Sequence, residues 1–480
     1  MSSPFDEQRY KGLLEGLEVS EVLFSKIDLG DRCDAEYFGK QDLQVEYILK
    51  KNHSVELRRL GTFVASAFYP AATQLYEFGD TPFIRCVDCI NYPLITKKQA
   101  DSFEKIPKSF IEENKGINML NKGDMVITKV GTPSFASLVF EHDEVALSRT
   151  VLGIKRIQNI NPYYLLAFLR SKYGFSQLQR ERELTIQYQL TLERVKKTLV
   201  FIPSVEFQNK IQAIIENYIY CLNQSQSLYR QAEELLLETI GLKDFQPTQE
   251  NKNIKSFSES FLATGRLDAE YYQPKYEEII SKIQERQYEE LGNMVTIQKS
   301  IEPGSDAYSD EGLPFIRVSD YNKFGISTPD KYLSDNFCRE NDELLKSLYP
   351  KKETILFSKD GSVGTAYMLH EDMQAVTSGA ILHLTVKDKS KVLPEYLTLA
   401  LNSEVVKQQA ERDAGGSIIL HWRISEIENV VVPIVDYGIQ QQIAALIEKS
   451  FYLRGESKRL LDEAKDMVEK KIGRNKEIEF

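Results

Sequence analysis

Two cysteines spaced as half of a tetrahedral zinc site, Cys86 and Cys89, are the first residues whose types and spacing indicate chemistry. A structural zinc site takes four ligands, and the sequence contains no second CxxC pair and no HxxxH pair to complete it. With five histidines in 480 residues, spacing also assembles no Ser–His–Asp or Cys–His set for nucleophilic catalysis. We therefore predict that the chain holds no metal and has no catalytic residue.

A second candidate for chemistry is NPYY at residues 161–164, which resembles the (N/D)PP(Y/F) motif that holds the target adenine in amino-methyltransferases. The sequence repeats this place as LPEY at residues 393–396, without the asparagine. A proline in the first turn of a helix accounts for both stretches. We therefore interpret NPYY as the start of a helix, with methylation by the chain itself as the alternative.

The stretch KDGSVG, residues 359–364, has the residue types of a phosphate-binding loop but lacks the GxxxxGK[ST] spacing. A strand-like stretch follows it instead of a helix, so we predict a hairpin turn. A purely structural turn is one interpretation; the other is that Ser358, Lys359, Ser362 and the backbone N–H groups of this turn bind a phosphate such as that of DNA. Lys129, in the matching stretch TKVGT, is expected to share this role.

The loop ERDAGGSIILHWRIS, residues 411–425, combines two glycines with hydrogen-bond donors and aromatic edges. The matching place in the first half reads ERELTIQYQLTLE, residues 181–193, with different residues in the middle. This pattern is typical of two domains that read different bases, since glutamine pairs with adenine and arginine with guanine in the major groove. Divergence of two old duplicates is the alternative. The predicted DNA-contacting residues of the loops are Arg182, Gln187, Tyr188, Gln189, Arg412, Ser417, His421, Trp422 and Arg423.

Two further arginines occupy matching phrases, PFIRCVD at residues 82–88 and PFIRVSD at residues 314–320. Arg85 and Arg317 are expected either to contact DNA phosphate or to form a salt bridge within their own domain, and the sequence favours neither. Tyr321, directly after the second phrase, is counted with the DNA-contacting residues.

All these stretches belong to two halves that repeat each other. DRCDAEYFGKQD, residues 31–42, returns as GRLDAEYYQPKY, residues 265–276, and the other matches lie at nearly the same separation along the chain. Short strands and hairpins, followed by a helix that begins at proline, indicate a mixed α+β body. We therefore predict a tandem duplication of one α+β domain. Two further matches lie at the same separation along the chain. ER at 181–182 matches ER at 411–412, and Pro203 matches Pro433.

Each half ends in a stretch where apolar or small residues recur at alternating spacings of 4 and 3. A stripe sustained for about four heptads is typical of a coiled coil. We predict two long helices that form an antiparallel coiled coil; the alternative is an amphipathic helix packed on its own domain. The residues predicted for this seam, and for contact with partners, are Ile211, Ile215, Leu222, Leu236, Ile443, Ile447, Leu461 and Val468.

Composition bounds the location and the partners. The five cysteines are scattered and odd in number, which fits a reducing compartment. No run of about 18 apolar residues and no apolar signal segment occurs, so we expect a cytoplasmic protein without a membrane segment. A net charge of −11 argues against nonspecific coating of nucleic acid but leaves room for a local basic groove.

The order of these parts resembles the specificity subunit of a type I restriction–modification system. The residues that carry the resemblance are the RxDAEYY-like phrase, PFIRVSD, ILFSKDGSVG, and a proline followed by Gln-x-x-Ile before each long helix. The last feature comprises Gln208 with Ile211 and Gln440 with Ile443. The family usually has glutamate before that glutamine, whereas this chain has Phe207 and Ile439.

The resemblance implies two target recognition domains, residues 1–205 and 257–435, with a central spacer helix at 206–242, a linker at 243–256 and a C-terminal spacer helix at 436–480. Each domain would read one half of a bipartite, asymmetric double-stranded DNA target. The helices would dock two methyltransferase subunits, which carry S-adenosylmethionine, and restriction would need ATP-dependent translocase subunits as well. This chain itself would hold no cofactor. The alternatives are a self-contained methyltransferase or nuclease, and a duplicated protein-binding scaffold of another defence system.

Overall fold

The computed structural model of the chain describes residues 6–15, 19–27, 32–183, 188–250, 252–416 and 419–473. The chain divides into two compact units, which are described separately: unit 1 is Met1–Cys221 with Glu456–Phe480, and unit 2 is Leu222–Gly455. Both dividing points lie within the two long helices. The units therefore differ from the predicted domains, whose boundaries stay a prediction.

Unit 1 is built of short strands with helices between them, in line with the alternation of apolar runs with glycine, proline and aspartate. Its helices are α1 (Glu7–Leu14), α2 (Lys40–Lys51), α3 (Cys86–Asn91), α4 (Lys97–Asp101), α5 (Lys108–Glu113), α6 (Pro162–Arg170), α7 (Lys172–Arg180), α8 (Leu192–Lys196) and the first part of α9 (Val205–Thr239). Its strands are β1 (Ser54–Glu56), β2 (Thr62–Ala65), β3 (Thr81–Ile84), β4 (Leu94–Ile95), β5 (Lys105–Ile106), β6 (Met119–Leu120), β7 (Met125–Thr128), β8 (Ala136–Val139), β9 (Val145–Leu147), β10 (Val151–Lys155) and β11 (Leu199–Phe201).

The strands of unit 1 form a main sheet in the order β2-β10-β7-β8-β4 and a smaller sheet in the order β5-β3-β9-β6. The pairs β2–β10, β10–β7 and β7–β8 are antiparallel. Every residue of β7 and β8 is buried. Strands covered on both faces read as continuous apolar runs, which is why MVIT and ASLV show no alternation.

Unit 2 repeats this plan with different loop lengths. Its helices are α10 (Phe261–Thr264), α11 (Pro274–Gln284), α12 (Leu291–Met294), α13 (Asp335–Glu340), α14 (Asp342–Ser347), α15 (Pro394–Asn402), α16 (Glu404–Asp413), α17 (Ile424–Glu428) and the first part of α18 (Tyr437–Gly473). Its strands are β12 (Tyr288–Glu290), β13 (Val295–Lys299), β14 (Tyr308–Ser309), β15 (Leu313–Ile316), β16 (Tyr321–Asn322), β17 (Gly325–Ile326), β18 (Tyr332–Leu333), β19 (Ile355–Ser358), β20 (Ala366–Met368), β21 (Val376–Thr377), β22 (Ile381–Val386) and β23 (Val431–Pro433).

The main sheets of the two units share four strands in the same order, and unit 1 adds β4 at one edge. The main sheet of unit 2 has the order β13-β22-β19-β20, which corresponds to β2-β10-β7-β8. The parallel pair β15–β21 corresponds to β3–β9, and the antiparallel pair β12–β23 corresponds to β1–β11. The predicted tandem duplication of a mixed α+β domain is confirmed.

Two glutamines, Gln177 and Gln409, show that the second parts of the two copies are in register. Gln177 donates from Nε2 to Leu199 O (3.0 Å) and accepts at Oε1 from Leu199 N (2.9 Å). Gln409 makes the same two bonds with Val431 (2.9 and 2.8 Å). Gln177 is as far from Gln409 along the chain as Leu199 is from Val431. Each glutamine thus ties its helix, α7 or α16, to the edge of a short strand.

The same register corrects one of the matches that were predicted from identical residue types in the sequence. The hydroxyl of Tyr164 donates to Phe201 O (2.8 Å), and that of Tyr396 donates to Pro433 O (2.6 Å). Pro433 therefore corresponds to Phe201 and not to Pro203. The hydrogen-bond partner, and not the residue type, defines a position in the fold, so the two prolines are not equivalent.

Each long helix begins beside a buried glutamine that joins it to the domain body. Gln208 accepts from Asn161 N (2.8 Å) and donates to Pro203 O (3.0 Å). Gln440 accepts from Leu393 N (3.0 Å). A buried N–H without a partner costs about 1–3 kcal/mol, so this contact explains why glutamine stands at both helix starts.

Within unit 1, the first part of α9 lies beside the last part of α18 and runs the opposite way. Near the start of α9, the ring of Phe207 lies 5.6 Å from Lys471 Nζ. Farther along α9, Cys221 lies near Glu456 of α18: burial, together with the charge of Glu456, raises the pKa of the Cys221 thiol. Residue numbers increase along α9 while those of the adjacent α18 residues decrease, so the two helices are antiparallel here.

Within unit 2, the later part of α9 lies beside the first part of α18. The hydroxyls of Ser225 and Ser450 lie 3.2 Å apart, and Ser450 also donates to Ser225 O (2.7 Å). The stripe residues here join one core with the domain body, including Tyr396, so the helices pack both on each other and on the domain. Of the predicted seam residues, Leu222 and Leu461 are half-buried and the following are buried: Ile211, Ile215, Leu236, Ile443, Ile447 and Val468.

Within the described part of the chain, no helix is both long enough and apolar enough to cross a membrane. The same residues contain no group of three or more His, Cys, Asp and Glu side chains suited to a metal ion.

Candidate nucleic-acid interface

Each unit carries a loop that is closed by the same backbone bridge. In unit 1, Glu183 and Gln189 exchange two backbone hydrogen bonds of 2.9 and 3.4 Å. In unit 2, Gly415 and His421 do the same at 3.0 and 2.7 Å. Each loop follows a helix, α7 or α16, and the two closing pairs enclose loops of equal length. The sequence predicted DNA-contacting residues in these two loops.

A hairpin turn holds each loop from the side. The turns follow β7 and β19, and each exchanges two backbone bonds with its loop. These bonds are Leu190 N–Lys129 O (2.8 Å), Gly131 N–Tyr188 O (3.3 Å), Trp422 N–Lys359 O (2.8 Å) and Gly361 N–Leu420 O (2.9 Å). Gly131 and Gly361 have φ of 88° and 73°, where a Cβ would be strained. The predicted hairpin turns are therefore present in both copies.

The two turn lysines have different surroundings. Lys359 forms an ion pair with Asp360, whose carboxylate also lies 2.9 Å from Nδ1 of His421. In unit 1, the residue after Lys129 is Val130, so the sequence places no acid there. A phosphate would have to compete with Asp360 for Lys359, which makes Lys129 the better candidate for a phosphate contact.

The loop of unit 1 presents a stacked pair. The guanidinium of Arg182 lies 4.3 Å from the ring centroid of Tyr188, and the tyrosine is 38% exposed. The in-plane nitrogens of this guanidinium also have partners within unit 1, because Nε donates to Gln179 O (2.9 Å) and Nη2 lies 3.9 Å from a carboxylate oxygen of Glu36. Gln189 is half-buried and bridges to Val130, whereas Gln187 lies outside the described residues.

The loop of unit 2 presents His421 and Arg423, whose side chains are 65% and 79% exposed. Trp422 between them was expected at the DNA surface and is instead 1% exposed, with its ring 5.7 Å from that of Phe357. Successive side chains of an extended segment point to opposite sides, so the residues flanking a buried tryptophan face solvent. Ser417 lies outside the described residues.

Two other predicted contact residues are also buried and shape the turn. The hydroxyl of Tyr321 donates to Thr365 O (3.0 Å). The hydroxyl of Ser358 accepts from Thr365 N (2.9 Å) and donates to Ser362 O. Because both hydroxyls are used inside the fold, neither Tyr321 nor Ser358 faces a ligand in this structure, whereas Ser362 is exposed.

Arg85 and Arg317 occupy equivalent places and pair with acids of their own units. In each case, the backbone N–H of the arginine donates to an aspartate three residues later, at 2.8 Å for both Asp88 and Asp320. Their guanidinium groups approach carboxylates in the following pairs: Arg85–Asp88 (3.6 Å), Arg85–Glu104 (3.5 Å), Arg317–Asp320 (3.4 Å) and Arg317–Asp330 (3.3 Å). Both arginines thus form the internal salt bridge that the sequence left as one of two alternatives.

Arg412 was predicted to contact DNA and instead packs against other residues of unit 2. Its guanidinium lies 5.1 Å from the ring centroid of Tyr271, and in unit 1 the guanidinium of Arg180 lies 4.0 Å from that of Tyr37. The counterpart of Arg412 is therefore Arg180, in the register that Gln177 and Gln409 define, and not Arg182, as the ER match had suggested.

The sequence analysis missed the role of Arg180 and of the phrase that meets it. A hydrogen bond from Arg32 holds the pKa of Asp34 at about 2. Burial, followed by the charge of Glu181, raises the pKa of Tyr37 to about 12. The signal that could have revealed this cluster is the repeated phrase itself, since its Arg, Asp and Tyr all take part.

The second half of the chain matches a known family. Residues 281–461 match the family model described as the type I restriction modification DNA specificity domain. This range includes the main sheet, the turn and the loop of unit 2. The predicted resemblance to type I specificity subunits is confirmed. A comparison with curated proteins finds no match.

Several solved structures are similar to the chain. One is the S subunit of a type I restriction–modification system from M. genitalium, with 12% identity over 87% of this chain and 95% of that one, and a TM-score of 0.40. Another is the HsdS subunit from Thermoanaerobacter tengcongensis, with 16% identity over 73% of this chain and 81% of that one, and a TM-score of 0.27. A type IIG restriction endonuclease, BpuSI, matches at 12% identity over 37% of this chain and 28% of that one, with a TM-score of 0.28.

Proposed function

We propose that this chain is the specificity subunit of a type I restriction–modification system, the protein that selects the DNA sequence to be methylated. The observation that carries this proposal is the DNA specificity domain at residues 281–461, together with a second copy of the same fold in unit 1.

We propose further that each unit reads one half of a bipartite, asymmetric double-stranded target. Support comes from two loops that are closed and held in the same way but present different exposed side chains. One presents Tyr188, and the other presents His421 and Arg423. Base edges are distinguished by donors, acceptors and methyl groups. Different side chains on one scaffold therefore suit two different half-sites.

The long helices are proposed to dock two methyltransferase subunits, which bind S-adenosylmethionine. Opposite the buried stripe, both helices expose the same residue types at the same spacing: Ala213, Glu216 and Tyr220 on α9, and Ala445, Glu448 and Tyr452 on α18. The two tyrosines are 61% and 69% exposed. The loops of the duplicates differ while these exposed faces agree, which supports two copies of one partner. Where restriction accompanies methylation, ATP-dependent translocase subunits would join this complex.

The chain is proposed to perform no chemistry itself and to act in the cytoplasm, where its DNA and its partners lie. Self-contained methylation rested on NPYY, and the side chain of Asn161 there accepts from the backbone N–H groups of Tyr163 and Tyr164 (2.9 and 3.5 Å). The hydroxyl of Tyr164 is engaged in the core. Asn161 therefore caps the start of α6, and Tyr164 joins α6 to β11.

Methylome sequencing of the host, with and without the gene, tests the proposal. A bipartite methylated motif should vanish on deletion and return when the gene is restored. Replacing residues 257–435 with a foreign recognition domain should change one half of that motif and leave the other intact. Methylation by the purified chain alone, or a motif that survives the deletion, would contradict the proposal.

A further inference from the structure

The phrase that the sequence writes twice forms the same cluster in both units. In unit 1, Arg32 engages both carboxylate oxygens of Asp34, with Nε at 2.6 Å and Nη2 at 2.8 Å. Its remaining nitrogen, Nη1, donates to the carbonyl oxygens of Arg180 (3.3 Å) and Arg182 (2.9 Å). The side chain of Arg32 is only 12% exposed, so these hydrogen bonds lie largely out of contact with solvent.

Unit 2 repeats the bidentate arginine–aspartate pair, but the third guanidinium nitrogen there has one carbonyl partner instead of two, at the position that corresponds to Glu181. Arg266 binds Asp268 through Nε (2.9 Å) and Nη2 (2.6 Å), and its Nη1 donates to Asp413 O (2.7 Å). In each copy, the aspartate takes two of the guanidinium nitrogens and orients the third. A lysine has no planar fork and cannot make both contacts in this geometry.

A tyrosine ring of the phrase lies beside two guanidinium groups. In unit 2, the ring centroid of Tyr271 is 4.6 Å from Arg266 and 5.1 Å from Arg412. In unit 1, the corresponding distances from Tyr37 are 4.5 Å to Arg32 and 4.0 Å to Arg180. Cation–π contacts of partly desolvated groups add to the hydrogen bonds. The arginine and tyrosine of the phrase therefore contact the end of α7 or α16 through a backbone carbonyl and through an arginine side chain of that helix.

The carbonyls that the phrase holds lie at the base of the loops. Arg182 immediately precedes Glu183, the first residue of the closing bridge in unit 1, and Asp413 stands two residues before Gly415 in unit 2. A guanidinium is also favourable there because the carbonyl end of a helix carries partial negative charge. Each loop is thus fixed at its start by the phrase and along its side by the hairpin turn.

We infer that Arg32 and Arg266 are positioning residues for DNA recognition: each holds the loop of its own unit in the orientation in which that loop reads its half-site. This inference rests on the proposed function. It explains why the arginine, aspartate and tyrosine of a phrase outside the loops recur in both copies while the loop residues themselves differ.

Arg32→Lys and Arg266→Lys, each in the full complex with its methyltransferase partner, test the inference by methylome sequencing. Arg266→Lys should relax base preference in one half of the motif, and Arg32→Lys in the other. Methylation at sites mismatched in the affected half should rise by about tenfold relative to matched sites, the discrimination expected of one degraded base contact. The untouched half serves as an internal control for folding and assembly.

A second pair of variants separates positioning from general stability. Tyr271→Phe keeps the ring and should behave like the wild type, whereas Tyr271→Leu should reproduce the relaxed half-site of Arg266→Lys. Lys346→Gln, which breaks an exposed ion pair with Asp342 in unit 2, is the control for charge removal. A uniform loss of methylation with unchanged base preference, or relaxation of both halves together, would overturn the inference. A wild-type complex without any methylated motif would instead overturn the proposed function.

Discussion

Adjacent residues of one loop have different roles because their side chains point to opposite sides of the backbone. Trp422 fills the core beside Phe357, and its neighbour Arg423 is among the most exposed charged groups near the loop. Similarly, Lys359 is paired with Asp360, whereas Lys129 is followed by a valine. Residue type alone suggested one role for all four. Exposure and pairing divide them into packing residues and candidate DNA contacts.

Arg423 and Trp422 should therefore respond differently to substitution. We expect Arg423→Gln to leave the melting temperature of the chain unchanged and to weaken discrimination at one base pair by about 1–3 kcal/mol. Trp422→Ala should destabilise unit 2 by about 3–5 kcal/mol, because it leaves a large cavity. Thermal unfolding and competition binding with single-mismatch duplexes measure the two effects. A destabilised Arg423→Gln with intact base preference would contradict this division.

His383 makes the stability of unit 2 depend on pH. It is 3% exposed, its Nε2 lies 2.9 Å from Thr377 Oγ1, and burial lowers its pKa to about 4. Between about pH 6.5 and 4, the unfolded chain binds a proton that the folded chain does not, so stability falls as pH falls through this window. The loss should approach roughly 3 kcal/mol at its acid end.

Urea unfolding at pH 7 and at pH 4.5 measures this effect. His383→Gln keeps an acceptor for Thr377 and does not titrate, so its stability should change less between the two conditions. His53→Gln, at an exposed site, should retain the full dependence. Equal pH dependence of all three proteins would show that His383 is not the titrating group.

At the scale of elements, each long helix has an inner stripe and an outer face. The stripe carries Ile211 and Ile215 on α9, which are fully buried, and the opposite face carries the exposed Ala213 and Tyr220. The spacing of 3 and 4 residues sets this division because it follows the helical repeat. The stripe stabilises the units, and the outer face is where we propose that partners dock.

A charge in the stripe should disrupt folding. We expect Ile215→Asp to destabilise the chain by about 2–5 kcal/mol, since it removes apolar contacts and buries a carboxylate. Ala213→Asp, two residues earlier on the exposed face, is the matched control and should cost less than about 0.5 kcal/mol. Leu461 is half-buried, so a charge there should have an intermediate effect. Equal melting temperatures for both α9 variants would show that the stripe does not face the core.

The outer face should control the number of bound partners. Tyr220→Arg and Tyr452→Arg should each yield a complex with one methyltransferase subunit, and the double variant should bind none. The reason is that large exposed aromatic residues are typical anchors of protein interfaces. Tyr288→Arg, at another exposed tyrosine, is the control. Native mass spectrometry counts the subunits, and two subunits on the double variant would rule out this docking face.

At the scale of the whole molecule, a duplicated recognition domain and two long helices form one chain. Helix α9 has 35 residues, which corresponds to about 52 Å at about 1.5 Å per residue. At about 3.4 Å per base pair, that length matches about 15 base pairs, enough for two short half-sites and a gap. This length supports the proposed spacer role of the helices.

Lengthening both helices should lengthen the gap in the recognised sequence. Four residues inserted between Cys221 and Leu222, and four between Gly455 and Glu456, where the compact units divide, add about 6 Å and turn each helix by about 40° beyond one full turn. Methylome sequencing should then show both half-sites unchanged and a gap longer by up to about two base pairs. Inserting two residues instead turns each helix by about 200° and should abolish methylation. An unchanged gap in the four-residue variant would exclude the spacer role.

The sequence by itself determined the duplication, the α+β character of each copy, the prolines that start α6 and α15, and the stripe of each long helix. These features are local or repetitive: a period of 3 and 4 residues, a proline in a first turn or a recurring phrase can be read without knowing what it touches. The hairpin turns followed from their glycines for the same reason.

Only the tertiary structure decided which side chains remain available to DNA. Trp422 and Tyr321 are buried, Arg412 holds Tyr271, and Lys359 is tied to Asp360. It also placed the repeated phrase at the base of the loops, through a bond from Arg266 to a carbonyl 147 residues away. Such contacts depend on how distant segments pack against each other, and no local pattern encodes them.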